Sequence, residues 1–156
     1  MKAASISEIK NELSTLGKPE LLTICLRLAK FKKDNKELLN YLLFEANDVD
    51  AYIAAVKEEM TEGFSAVHKT NLFFAKKTIR KVLRIANKHI KYTASKQAEI
   101  EILLAFCALL KQSGHLKGYK NVMHNLYAQQ VKKINTALNS LHEDLQYDFK
   151  ERIEAL

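Results

Sequence analysis

A single proline and four glycines are the only strong helix breakers in this 156-residue chain. The stretches between them are rich in Ala, Leu, Lys and Glu, which favour helix over strand. Apolar residues recur at three- and four-residue intervals, and no segment alternates with the period of a strand. These features specify an all-α fold. A chain of this length suits one core, so the expectation is a single helical domain over residues 1–156. It would be an antiparallel bundle or a short α-α superhelix of seven to eight helices.

The start and stop signals divide the chain in that way. Ser5 with Glu8 forms a reciprocal cap ahead of Ile6, Ile9, Leu13 and Leu16, and Gly17 ends that helix. Pro19 suits the first position of a second helix, carrying Leu21, Leu22, Cys25, Leu26 and Leu28 to about Phe31. Asp34 with Glu37 opens a third through Phe44, and Asn47 or Asp48 caps a fourth that ends near Gly63. A fifth runs from about Asn71 to Lys91. Ser95 caps a sixth, whose residues Ala98 to Leu110 are apolar nearly all round except for Glu99 and Glu101, which places it at the centre. Gly114 and Gly118 bracket a turn before a seventh helix bearing Met123, Leu126 and Ile134. Ser140 with Glu143 marks an eighth, with a continuous helix from residue 119 as the alternative.

The stretch Leu16-Gly17-Lys18-Pro19-Glu20-Leu21-Leu22, followed by Asn35-Lys36-Glu37-Leu38-Leu39-Asn40-Tyr41-Leu42-Leu43-Phe44, resembles the start of an uncharacterised family of small bacterial helical proteins. The resemblance covers the first third of the chain. It implies a helical fold and a bacterial origin, and carries no activity, cofactor or catalytic residue.

Charge is the most informative pattern. Between Glu62 and Glu99 there is no carboxylate, while Lys69, Lys76, Lys77, Arg80, Lys81, Arg84, Lys88, Lys91 and Lys96 supply nine cations. On a helix, Lys76, Lys77, Arg80, Lys81, Arg84, Lys88 and Lys91 fall within an arc of about 140° opposite the apolar face. Such a stripe attracts polyanions through counterion release. The bland alternative is a solvated face, partly neutralised by residues 37–62, where seven carboxylates against Lys57 give a net charge of −6. Tyr92 and Tyr119 are candidate stacking aromatics, but they do not interleave with the cations.

Other chemistry has little local support. His68, His89, His115, His124 and His142 include no pair at metal-ligand spacing. His142-Glu143 begins like a zinc-protease helix, yet Gln146 stands where the second ligand belongs. Cys25 and Cys107 sit among aliphatic residues, as reduced and buried thiols do, in surroundings that raise rather than lower a thiol pKa. Glu58, Glu59 and Glu62 are helical neighbours suited to a solvated face. The segment Gly114-His115-Leu116-Lys117-Gly118 reads as an interhelical turn rather than a phosphate loop. Glu8 and Glu12 interrupt the region where a secretory signal would need an apolar core, and Ile102 to Leu110 is too short to cross a bilayer. These points favour the cytoplasm. No cofactor is implied. The leading functional expectation is a non-enzymatic helical module that binds another protein, around the fourth and fifth helices. The alternatives are polyanion or nucleic-acid binding through the stripe, and a small-molecule or catalytic site between helices.

Overall fold

The computed structural model describes residues 2–156. The chain divides into two compact units, residues 1–44 and 45–156. The described residues form eight α-helices and one π-helical turn, with no strand, as the all-α expectation requires.

The first unit holds α1 (Ile6–Thr15), α2 (Lys18–Phe31) and α3 (Lys33–Asn40). The Ser5 capping box forms as its spacing predicts, with Ser5 Oγ accepting from the Glu8 amide at 3.3 Å and the Ser5 amide donating to Glu8 at 2.7 Å. Two details depart from expectation. The third helix begins one residue before Asp34, after Lys32, and no side chain caps it. It then leaves α geometry at Tyr41 and widens into a π turn, Tyr41–Glu45, instead of continuing through Phe44. α2 and α3 pack together, pinned by Asn35 Nδ2 donating to the Leu28 carbonyl at 2.9 Å. None of the residues of α1, α2 or α3 is fully buried, and Leu22 and Phe31 remain 60% and 75% exposed. Cys25 is accordingly exposed, not buried as its aliphatic neighbours suggest.

The second unit is a bundle of α4 (Val49–Ser65), α5 (Leu72–Thr93), α6 (Lys96–Gln112), α7 (Val122–Asn139) and α8 (Glu143–Glu154). α6 lies at its centre, packed against α4, α5 and α7. Ile100, Ile102, Leu103, Phe106, Cys107 and Leu110 are fully buried there. Removing that much apolar surface from water, at roughly 25 cal/mol per Å2, is the main source of the bundle's stability. Ser95 caps α6 as expected. α5 reaches α6 through only Ala94 and Ser95, with Ala94 in the left-handed region at φ 48°. Gly114 and Gly118 take positive φ in the turn before α7. The last two helices are separate, and His142 rather than Ser140 caps α8.

α4 and α5 run antiparallel, since Tyr52 near the start of α4 meets His89 near the end of α5 while Gly63 meets Val82. Gly63 falls near the end of α4, as expected, but it is not the terminator. It sits inside α4, where a methyl group would lie 2.6 Å from Cγ2 of Val82. The residue sets how closely the two helices approach. We expect Gly63→Ala to destabilise the fold by about 1–3 kcal/mol through overpacking against a stiff β-branched side chain. Thermal melts would show a lowered midpoint that Gly63→Ala/Val82→Ala partly restores; a midpoint raised by the single change would refute the close approach.

Candidate functional site

α5 buries Ala75, Ile79, Val82, Leu83 and Ala86, and this commits its apolar face to the bundle and turns its cations outward. The seven residues of the basic stripe separate into two sets. Lys76, Lys77, Arg80 and Arg84 line an open groove of about 670 Å3 together with Phe73, Leu83 and Asn87, and α7 contributes Leu126 from across it. Lys77, Arg80 and Arg84 are exposed and Lys76 is half-buried. Lys81, Lys88 and Lys91 do not line the groove: Lys81 and Lys91 are exposed farther round or along the helix, and half-buried Lys88 has an interaction of its own.

The acidic neighbour does not cover the groove. Among the described residues, no carboxylate pairs with Lys76, Lys77, Arg80 or Arg84. Glu58 and Glu62 are exposed, and Glu59 accepts from His89 Nε2 at 3.2 Å, near the other end of α5. The groove lining therefore carries four cations, no anion and an apolar floor. Its aromatic, Phe73, is 75% exposed at one end. The aromatics named from the sequence are Tyr92 and Tyr119, which do not interleave with the cations, and not Phe73. Tyr92 is buried and Tyr119 projects from the turn before α7. Phe73 stands three and four residues before Lys76 and Lys77, the helical spacing that puts it on their face.

A smaller groove of about 330 Å3 is lined by Lys96, Lys132, Lys133 and Glu99, among others. Its charge is partly cancelled internally, because Lys96 Nζ donates to Glu99 at 2.8 Å.

The histidines are engaged in local structure. His68 Nδ1 accepts from the Asn71 amide at 3.0 Å, and His124 Nδ1 from the Asn121 amide at 3.1 Å. His115 Nε2 donates to the His68 carbonyl at 2.9 Å, tying the Gly114–Gly118 turn to the residues before α5. His142 caps α8. His89 lies between the Tyr52 hydroxyl, 2.6 Å from Nδ1, and Glu59. Sequence order hides this chain of groups, because its members are 30 and 37 residues from His89. Among the described residues, no group of three His, Cys, Asp or Glu could hold a metal ion. Burial pushes the Cys107 thiol up to about 12, so it is inert as a nucleophile. Also among the described residues, no helix is long and apolar enough to cross a membrane.

The strongest electrostatic cluster is structural. Glu101 of α6 accepts Lys57 Nζ of α4 at 2.6 Å and receives a two-pronged contact from the Arg152 guanidinium of α8, with Nη2 to Oε2 at 3.0 Å. The Arg152 hydrogen bonds, aided by Lys57 and opposed by burial, hold the Glu101 carboxyl at about 2.

No protein-family model, curated protein or solved structure matches this chain.

The depressed Glu101 carboxyl stabilises the fold fully above its ordinary value of 4.5 and loses that effect as pH falls to about 2. Glu101→Gln should therefore cost about 1–3 kcal/mol near neutral pH, after allowance for the partly exposed Arg152 and Lys57. The gap between wild type and variant in denaturant titrations should close between pH 4.5 and 2. A gap constant across that range would exclude the charge cluster as its cause.

Proposed function

We propose that this chain is a non-enzymatic helical binding module that holds a polyanion along the basic face of α5. The observation that carries the reading is the groove itself. Lys76, Lys77, Arg80 and Arg84 line one concave surface with no carboxylate in the lining, although strongly acidic α4 is packed on the same helix. Unpaired cations aligned on a rigid rod raise the local concentration of phosphates and exchange counterions for them. Arg80 and Arg84 add planar forks that grip phosphate oxygens in pairs.

Binding of this kind is salt-dependent. We expect inorganic polyphosphate to bind at low ionic strength and to dissociate steeply as salt rises. Lys77→Glu/Arg80→Glu/Arg84→Glu should weaken it at least tenfold, since three favourable charges become repulsive. Lys132→Glu/Lys133→Glu, a twofold charge reversal at the smaller groove, serves as a control and should change binding little. Equal losses in both variants would point to net charge rather than to this groove.

A second reading, engagement of a protein partner, is favoured by a different observation. α2 and the π turn present Leu22, Leu28, Phe31, Leu42, Leu43 and Phe44 more than half exposed. Exposed apolar groups in such number favour contact with another protein. The supporting surface lies in the first unit rather than around α4 and α5. Stoichiometric capture of a partner at both low and high salt, abolished by Leu22→Asp/Phe31→Asp but kept by the groove variant, is the expected result. Capture that survives the double change would exclude this surface.

A further inference from the structure

Resting on the polyanion reading of the same groove, we infer that its ligand is a single-stranded nucleic acid, with a base stacked on Phe73 and the flanking phosphates on Lys76, Lys77, Arg80 and Arg84.

Three observations converge. Phe73 leaves most of its surface in solvent within the lining that holds the four cations, so one surface offers a π-face beside phosphate-binding groups. Every base has a π-face to offer it, and a duplex keeps those faces stacked internally. The groove's floor includes Leu83 and Leu126, and its lining includes the Asn87 side chain. Apolar contact suits the faces and edges of an unstacked base, and an amide supplies both a donor and an acceptor to its polar edge. A pure polyphosphate would use neither.

Size separates a strand from a single nucleotide. A volume of about 670 Å3 falls in the class of ligand clefts, roughly 300–1,000 Å3. It admits a short run of nucleotides, and the π-face of Phe73 within it is of use only to a base that is not already stacked in a duplex. Phe73 to Asn87 covers about 21 Å of helix axis at 1.5 Å per residue, and exposed Lys91 extends the positive surface past the groove. One free nucleotide occupies only part of that length.

The test uses the full chain and a fluorescent twelve-nucleotide oligothymidylate, with inorganic polyphosphate, a blunt duplex of equal length and adenosine triphosphate as comparators. The oligonucleotide should bind more tightly than the duplex, and an equimolar nucleoside triphosphate should not displace it. Phe73→Ala should weaken the oligonucleotide roughly tenfold and leave polyphosphate affinity unchanged. The sequence contains no tryptophan, so the indole introduced by Phe73→Trp reports stacking directly: its emission should be quenched as the oligonucleotide is added, with affinity retained. Full affinity in Phe73→Ala together with no quenching in Phe73→Trp would overturn the stacking, while the polyanion reading would stand as long as the triple charge reversal still abolished binding. Equal affinity for the duplex, or displacement by the mononucleotide, would overturn the single strand as ligand. Failure of the wild-type chain to bind either polyphosphate or oligonucleotide at low salt would remove the polyanion reading itself.

Discussion

The second unit is organised by the need to bury a helix that has almost no polar side. α6 carries apolar residues around nearly its whole circumference, and α4, α5 and α7 each give up one face to cover it. Those helices then have only their remaining faces free for solvent. On α5 the remaining face is the cationic one, so the outward direction of Lys77, Arg80 and Arg84 follows from how the core is filled. The two carboxylates of α6 remain compatible with this arrangement because each has a cation, Lys96 for Glu99 and the pair Lys57 and Arg152 for Glu101.

Opposite net charge on consecutive helices does not neutralise the pair. α4 is acidic and α5 basic, yet the contacts between them include the Tyr52–His89 hydrogen bond and the packing of Gly63 against Val82, neither of which pairs a carboxylate with a cation of the groove. Glu59 is drawn to His89, beyond the groove, while Glu58 and Glu62 face water. A carboxylate neutralises a cation effectively only within a few ångströms, because water and salt screen longer distances. Composition over a window of residues therefore overstates the pairing that side-chain direction permits.

The same distinction separates what could be read from the chain and what could not. The all-α class, the central place of Ile102 to Leu110, the Ser5 and Ser95 caps and the extent of α5 depend on local chemistry and period, and the structure has them as expected. Gly63 was legible only as a breaker, since its true constraint is a side chain 19 positions away. The π turn at Tyr41 escapes periodicity, because one widened turn scarcely disturbs an apolar pattern. Cys25 has aliphatic neighbours in sequence, but its helix buries nothing fully. For the candidate site, four stripe residues line the groove, and Phe73 was within reach of spacing alone. Leu126 was not, because it arrives from another helix.

The turn between α5 and α6 has a consequence for recognition. Ala94 and Ser95 reverse the chain in two residues, one of them held in the left-handed region. So short a connection leaves no slack by which the basic rod could swing away from the central helix, and on the proposed polyanion reading a ligand would meet cations already set at the pitch of an α-helix. Little backbone entropy remains to be lost by the protein on binding. On that reading the conformational adjustment would fall on the ligand, which would favour a flexible chain able to adapt its contour to a fixed ruler.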